Sequence, residues 1–176
     1  MSKNHYVDNK KFLAALEEYV SEYNLAVQDG GDLPRVSEYI GECILKISTE
    51  LAGKSNFVNY TFKDEMISDA IENCFMYLHK FDPKRSSNPF AYFTQISFYA
   101  FVRRIQKEKK QLTTKYKYIR SLDLDDIIRQ IHDDGDNGSQ LVAYLRKQSD
   151  LAKTEVENMP VPKTMKRKPK YLMRDD

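Results

Sequence analysis

The stretch that decides the fold runs from residue 64 to residue 110 and reads DEMISDAIENCFMYLHKFDPKRSSNPFAYFTQISFYAFVRRIQKEKK. Apolar residues recur at helical spacing on both sides of its Lys-Phe-Asp-Pro segment, residues 80–83. Pro83 disfavours a helical residue before it, so the first helix ends ahead of this point. Asn88-Pro89 starts a second helix, because Asn caps free amides and Pro lacks the amide that would stay unpaired. The stretch therefore predicts two helices joined by a short hinge.

Two further helices precede this stretch. Residues 9–28 carry apolar residues at helical spacing up to an Asp-Gly-Gly turn, and Pro34 opens another such pattern that ends at Gly53. A Thr-x-x-Asp sequence from Thr61 resembles a capping box and predicts the start of the third helix. The sequence thus predicts an all-α fold, with four helices in the first 120 residues.

The two helices of the central stretch each have an apolar face at 100° per residue, which we expect to lie in the core. The expected core face of the third helix consists of Ile67, Ala70, Ile71, Cys74, Phe75 and Leu78. The expected core face of the fourth consists of Phe90, Ala91, Thr94, Phe98, Phe101, Val102 and Ile105.

The chain after residue 120 is expected to form an extension. Residues 121–150 carry seven Asp against three Lys or Arg, and residues 122–131 and 141–151 each fit a short amphipathic helix. From residue 159 the prolines and lysines predict a disordered or extended tail. The expected organisation is an N-terminal helix (1–33), a central domain (34–120), an acidic extension (121–158) and a basic tail (159–176).

The composition fits one small intracellular domain. A chain of 176 residues with 41% hydrophobic content can bury one core. Cys43 and Cys74 lie in apolar segments, where thiols act as small core residues. No apolar run reaches the length of about 18 residues that a membrane helix needs, and the N-terminus lacks the apolar segment of a signal peptide. We expect a cytoplasmic protein without a membrane span.

Catalysis and metal binding find little support. The histidines, His5, His79 and His132, are scattered, and no Gly-rich phosphate loop or metal-ligand spacing occurs. The aspartates at 133, 134 and 136 do not match a calcium loop, since no Glu follows at the closing position. We expect no enzymatic activity, no cofactor and no metal.

Positive charge and aromatic residues are concentrated between residues 83 and 120. This segment carries ten Lys or Arg against one acid, together with eight aromatic residues, which is the composition of a nucleic-acid surface. An ordinary solvated basic helix is the alternative. One arc of the fourth helix aligns Tyr92, Gln95, Tyr99, Arg103, Gln106 and Lys110, with Phe93, Ile96 and Ala100 beside it.

The third helix has an acidic polar face. Its residues are Glu65, Asp69, Glu72, Asn73 and Met76, so one apolar contact point lies among polar side chains.

The stretch from 64 to 110 resembles region 2 of the bacterial sigma family, with its acidic helix, Lys-Phe-Asp-Pro hinge and aromatic, basic helix. Within that family it is similar to the late-transcription sigma factors of T-even-type bacteriophages. The matching residues are Asn88-Pro89, Ala91-Tyr92, Thr94-Gln95, Ala100-Phe101-Val102, Arg104-Ile105 and Lys107-Glu108. The resemblance covers residues 34–118 well and implies a compact helical region-2 domain with a short helical or disordered C-terminal extension.

The resemblance implies that the third helix docks on the clamp helices of the largest subunit of the host's core RNA polymerase. The residues expected to bind polymerase are Glu65, Ser68, Asp69, Glu72, Asn73 and Met76. A merely solvated acidic face is the alternative, and Met76 is then a stray surface residue.

The resemblance also implies that the fourth helix reads a −10-like, A·T-rich promoter element and holds its melted strand. The residues expected to contact promoter DNA are Tyr92, Phe93, Gln95, Ile96, Tyr99, Arg103, Arg104, Gln106, Lys107 and Lys110. The aromatic residues would stack on bases, with a place in the core as the alternative for Phe93. The tandem tryptophans of the family are missing, and Ile96-Ser97 stands in their place.

After residue 120 there is no room for the separate domain that reads a −35 element. The late phage factors rely on a co-activator and on the phage DNA sliding clamp, which binds a short C-terminal peptide. Tyr171, Leu172 and Met173 are the expected clamp-binding residues, and a tail that touches upstream DNA is the alternative. The expected function is a phage sigma factor in the cytoplasm of an infected bacterium. The alternative is a stand-alone single-stranded nucleic-acid or operator-binding protein.

Overall fold

The computed structural model describes residues 6–122 and 137–159, and the regular elements in these ranges are all helical. They are α1 (Asn9–Asp29), α2 (Glu38–Ala52), α3 (Lys63–Met76), a 3-10 turn (Leu78–Lys80), α4 (Pro89–Ser121) and α5 (Asn137–Asn158). The all-α class predicted from the sequence is therefore confirmed. Within the same ranges, no helix is long and apolar enough to cross a membrane.

The chain divides into two compact units, and the boundary between them lies inside α4. The first unit contains the described residues up to Arg104, and the second contains those from Ile105 onward. The sequence places the end of its central domain at residue 120, where the local charge changes sign, so the two boundaries differ.

Side-chain caps start α1 and α4. The Asp8 carboxylate accepts hydrogen bonds from the amides of Lys10 and Lys11 at 3.0 and 3.2 Å. The Asn88 side-chain oxygen accepts one from the Ala91 amide at 3.0 Å, as predicted for a helix that opens on Asn-Pro. Asn9 of α1 accepts a further bond from the Phe90 amide at 3.2 Å. The predicted start of α4 is confirmed, and its first turn is also held by α1.

The predicted start of α2 is wrong, and the cap predicted for α3 does not form. α2 begins at Glu38 and not at Pro34, because the hydroxyl of Ser37 caps it by accepting from the Ile40 amide at 3.4 Å. α3 begins at Lys63 behind Phe62, with no side-chain cap, so the capping box expected at Thr61 does not form. The backbone enters α2 four residues after Pro34, whereas α3 starts two residues after Thr61 without the predicted cap.

α4 is buried around its whole circumference over residues 96–102. Phe93 packs against Phe12 of α1, with 5.4 Å between ring centroids, and Phe101 meets Phe57 edge-on at 5.0 Å. Neighbouring helices and loops therefore surround this segment, as expected for a helix that is apolar around its whole circumference. The buried residues of α4 in the first unit are Pro89, Phe93, Ile96, Ser97, Phe98, Tyr99, Ala100, Phe101 and Val102.

The expected core faces are partly wrong. Phe75 was assigned to the core but its side chain is 40% exposed, and Ala91 is exposed as well. Met66, to which the sequence assigns no role, is completely buried. Cys74 and Phe101 are buried as predicted. The face of α3 that lies in the core is thus rotated toward Met66 and away from Phe75.

Three small polar side chains meet where α2, α3 and α4 come together. The hydroxyl of Ser97 lies 3.3 Å from the hydroxyl of Ser48 and 3.5 Å from the Cys74 thiol. Burial raises the pKa of Cys74 to about 12, although the Ser97 contact opposes that shift. Both cysteines are free and buried, which confirms the prediction that they are small core residues.

The second unit contains the C-terminal half of α4 together with α5. Its buried residues include Ile119 of α4 and both Val142 and Ala152 of α5. The Lys109 ammonium donates to the carbonyl of Met159 at 3.2 Å, just after the end of α5. The helix predicted at 141–151 is confirmed and is longer than expected, whereas the one predicted at 122–131 lies mostly outside the described residues.

Candidate functional site

The outward face of α3 carries a row of exposed residues that we call the acidic stripe: Glu65, Ser68, Glu72 and Met76. These positions are three to four residues apart, so they lie on one face. The opposite face, which includes Met66, is in the core. The Met76 side chain is 53% exposed, and Phe75 beside it is 40% exposed. An apolar end therefore completes a carboxylate-rich surface, and Phe75 is a part of it that the sequence did not reveal.

Asp69 lies at the edge of the acidic stripe and is bound to α4. Its two carboxylate oxygens accept hydrogen bonds from the Arg104 guanidinium at 2.7 and 2.6 Å. The Arg104 and Asp69 side chains retain only 17% and 28% of their exposure. Such a two-point pair between a guanidinium and a carboxylate is both directional and strong. In this conformation Asp69 and Arg104 hold α3 against α4.

Asn73 and Arg103 extend this contact by one turn. The Arg103 guanidinium donates to the side-chain oxygen of Asn73 at 2.5 Å. The side-chain amide of Asn73 in turn donates to the carbonyl of Asp69 at 2.6 Å. Two residues predicted to bind polymerase are thus bonded to two residues predicted to bind DNA, which the sequence alone did not show.

Three residues predicted to contact DNA are buried in the core. Phe93 is 0% exposed, Ile96 is 1% exposed and Tyr99 is 7% exposed. A side chain with no accessible face cannot stack on a base, so their assignment to the DNA surface is corrected for this conformation. For Phe93, the core position that the sequence left open is the observed one.

Tyr92 is half-buried and already engaged on both its ring and its hydroxyl. The hydroxyl donates to the carbonyl of Tyr77 at 3.2 Å, and the ring packs edge-on against Phe81 at 5.2 Å. Burial, followed by the nearby Cys74, raises the pKa of the Tyr92 phenol well above its usual range. Gln95, one turn further along, is also partly buried. The aromatic part of the expected DNA face is therefore largely part of the packed domain.

The polar part of the expected DNA face remains accessible. Arg103 is exposed at the end of the first unit, and Gln106, Lys107 and Lys110 are exposed in the second. Cationic and amide side chains of this kind can bond phosphates and base edges without a buried aromatic platform.

The remaining predicted sites lie outside the described residues. These are the clamp-binding residues Tyr171, Leu172 and Met173. The aspartates at 133, 134 and 136, for which no metal site is expected, also lie outside the described residues. Within residues 6–122 and 137–159, no group of three or more His, Cys, Asp or Glu side chains could hold a metal ion. No protein-family model and no curated protein matches the chain.

Proposed function

We propose that this chain is a sigma-type transcription-initiation factor that docks on bacterial core RNA polymerase through the acidic stripe of α3. The observation that carries the proposal is the stripe itself, with Glu65 and Glu72 exposed on a helix whose other face is in the core. Such a helix presents a rigid surface, so little conformational entropy is lost on binding.

The chemistry of the stripe suits a partner made of basic helices. Carboxylates steer a basic partner and set its register, whereas an apolar side chain buried at the interface contributes a large share of the binding free energy. Met76 and the adjacent Phe75 offer that apolar contact beside Glu72. This combination agrees with the docking role that the sigma resemblance implies.

Promoter recognition, in this proposal, uses the accessible polar residues of α4. Arg103 contacts base edges or phosphates of a −10-like, A·T-rich element, and Gln106, Lys107 and Lys110 position the backbone. Arg104 forms an ion pair with Asp69 in the free protein, so its part in this proposal is to position α4 against α3.

The free-energy cost of separating the DNA strands requires that polymerase takes part in opening the DNA. Separating roughly ten base steps costs about 14 kcal/mol, at about 1.4 kcal/mol per step. Stacking one base on an aromatic side chain contributes about 1–3 kcal/mol of binding free energy. The rings of Phe93 and Tyr99 are buried and do not contribute in this way. Tyr92 alone cannot balance the cost. The acidic stripe is therefore as necessary to the proposed function as the DNA-binding residues are.

The sigma resemblance extends the proposal to its biological setting. The promoters are late phage promoters, the polymerase is that of the infected host, and the protein acts in the host cytoplasm. A phage co-activator and the DNA sliding clamp are the further partners, with the clamp bound by the C-terminal residues 171–173.

Reversing the charge of the acidic stripe tests the docking step. The Glu65→Lys/Glu72→Lys variant is expected to bind purified bacterial core polymerase about a hundredfold more weakly, because like charges placed together at an interface cost several kcal/mol. Binding is measured by fluorescence anisotropy of labelled protein. Asp69 is left intact because its carboxylate holds α4, and its loss would disturb the fold.

The matched control is Glu18→Lys/Glu22→Lys, which makes the same charge change at exposed positions of α1. It is expected to bind polymerase as the wild type does. Equal loss in both variants would show a general charge effect, and unchanged binding in the α3 variant would rule out the docking proposal.

Arg103→Ala tests the promoter step separately. The substitution is expected to leave polymerase binding unchanged and to reduce run-off transcription from an A·T-rich late promoter about tenfold or more, since a base contact is worth about 1–3 kcal/mol. Arg35→Ala, an exposed arginine before α2, is the control and should transcribe normally. Loss of polymerase binding in Arg103→Ala would instead assign Arg103 to packing through its bond with Asn73.

The alternative function is a stand-alone nucleic-acid-binding protein that works without polymerase. It uses the same exposed residues of α4 but gives the acidic stripe no partner. The Glu65→Lys/Glu72→Lys variant distinguishes the two functions. It weakens polymerase binding if the sigma-type proposal holds. Under the alternative it changes no polymerase-dependent measurement, because the acidic stripe then has no partner.

A further inference from the structure

The second unit presents a continuous basic surface along α4. We call it the basic sector, and its exposed residues are Gln106, Lys107, Lys110, Lys115, Lys117 and Tyr118. At 100° per residue these positions fall within about half of the helix circumference. From first to last they span about 18 Å, at about 1.5 Å per residue. Four ammonium groups are thus presented on one side of a single helix.

None of the ion pairs found among the described residues includes a lysine of the basic sector. Glu108, the one acid among residues 105–122, lies outside the sector and is partly buried. The ion pair of Lys153 with Glu157 on α5 involves none of the four sector lysines. The positive charge of the sector is therefore available to a ligand.

Part of the basic sector, at Gln106, Lys110 and Lys117, borders a shallow, open depression. Its volume is about 400 Å³, and it is lined by Gln106, Lys109, Lys110, Thr113, Thr114 and Lys117. The hydroxyls of Thr113 and Thr114 donate to the carbonyls of Lys109 and Lys110 at 2.8 and 2.9 Å, back along the helix. The charged groups that remain for a ligand are thus cationic and border the depression.

We propose that the basic sector binds the phosphate backbone of duplex DNA. An 18 Å surface faces about five phosphates of one strand, at about 3.4 Å per phosphate along the axis. A single strand is disfavoured as the ligand because such sites use stacked aromatic platforms, and Tyr118 is the one exposed aromatic residue of the sector. The basic sector therefore binds duplex DNA of any sequence.

This inference goes beyond the proposed function, which assigns Lys107 and Lys110 to the promoter but gives Lys115 and Lys117 no role. It rests on the proposed function only for the identity of the duplex as promoter DNA.

Salt-dependent binding of the full chain to a short random-sequence DNA duplex, without polymerase, tests the inference. If four lysines each displace a counterion, the slope of log K against log salt is about −3.6 between about 50 and 200 mM salt. The Lys110→Gln/Lys115→Gln/Lys117→Gln variant is expected to reduce the steepness of this slope by about 2.7. Circular dichroism verifies that its helices are intact.

The matched control is Lys10→Gln/Lys11→Gln/Lys54→Gln, which removes the same charge from exposed positions of the first unit. It should keep the wild-type slope. Equal slopes for the sector variant and the wild type overturn the inference, as does wild-type binding that is tighter to the single strand than to the duplex. Because polymerase is absent, neither result bears on docking by the acidic stripe, and failure of docking leaves this measurement unaffected.

Discussion

Phe93→Ala is expected to lower the free energy of unfolding by about 3–5 kcal/mol, the usual cost of removing a buried aromatic ring. The ring is completely buried and packs against Phe12, Phe81 and Tyr92. Small domains are stable by only about 5–15 kcal/mol, so the variant should be partly or wholly unfolded near 37 °C. Urea denaturation followed by circular dichroism measures the change.

Two further variants make this result interpretable. Phe93→Leu keeps most of the apolar volume and should cost much less than the alanine variant. Tyr118→Ala removes a ring that is 65% exposed, and its effect should stay within about 0.5 kcal/mol. A Phe93→Ala protein that remains as stable as the wild type but fails to bind DNA would restore the base-stacking role that the sequence suggested.

Asp69→Ala is expected to destabilise the protein by about 2–4 kcal/mol. Removing the carboxylate leaves the Arg104 guanidinium largely buried and without its two-point partner, and breaking a fully buried pair costs about 3–5 kcal/mol. The residual exposure of both side chains lowers that figure somewhat. Thermal and urea unfolding provide the measurement, and a double-mutant cycle with Arg104→Ala isolates the pair.

The control is the Glu42–Lys46 pair of α2, whose two side chains are each 53% exposed at a separation of 3.2 Å. Glu42→Ala should cost less than about 0.5 kcal/mol, because solvent screens an exposed pair within one helix. Similar losses in Asp69→Ala and Glu42→Ala would mean that the contact between α3 and α4 adds little to stability.

Local signals in the sequence predicted much of the fold. Asn88-Pro89 located the start of α4, and the glycine after Asp29 marked the end of α1, where Gly30 adopts a left-handed φ of 66°. Both features depend only on neighbouring residues. The stripe on α3 was predicted for the same reason, since helical periodicity places Glu65 and Glu72 on one face.

The errors arise where several elements meet. Dividing α4 into a core arc and a DNA arc assumes that one side faces solvent, yet the segment around Tyr99 has neighbours on every side. Likewise, the pair between Asp69 and Arg104 joins residues 35 positions apart in the chain. The periodicity of one helix does not show which face of another helix it contacts. Asp69 was therefore assigned to the polymerase-binding surface and Arg104 to the DNA-binding surface.

The three-way contact at Ser97 has a steric consequence for the proposed opening of promoter DNA. Ser97 is completely buried and its hydroxyl lies within 3.5 Å of side chains from both α2 and α3, while Ile96 beside it is 1% exposed. An indole at either position would force whole helices apart, because interiors are packed as densely as organic crystals. A tryptophan wedge at this place and the close approach of α2, α3 and α4 are therefore mutually exclusive.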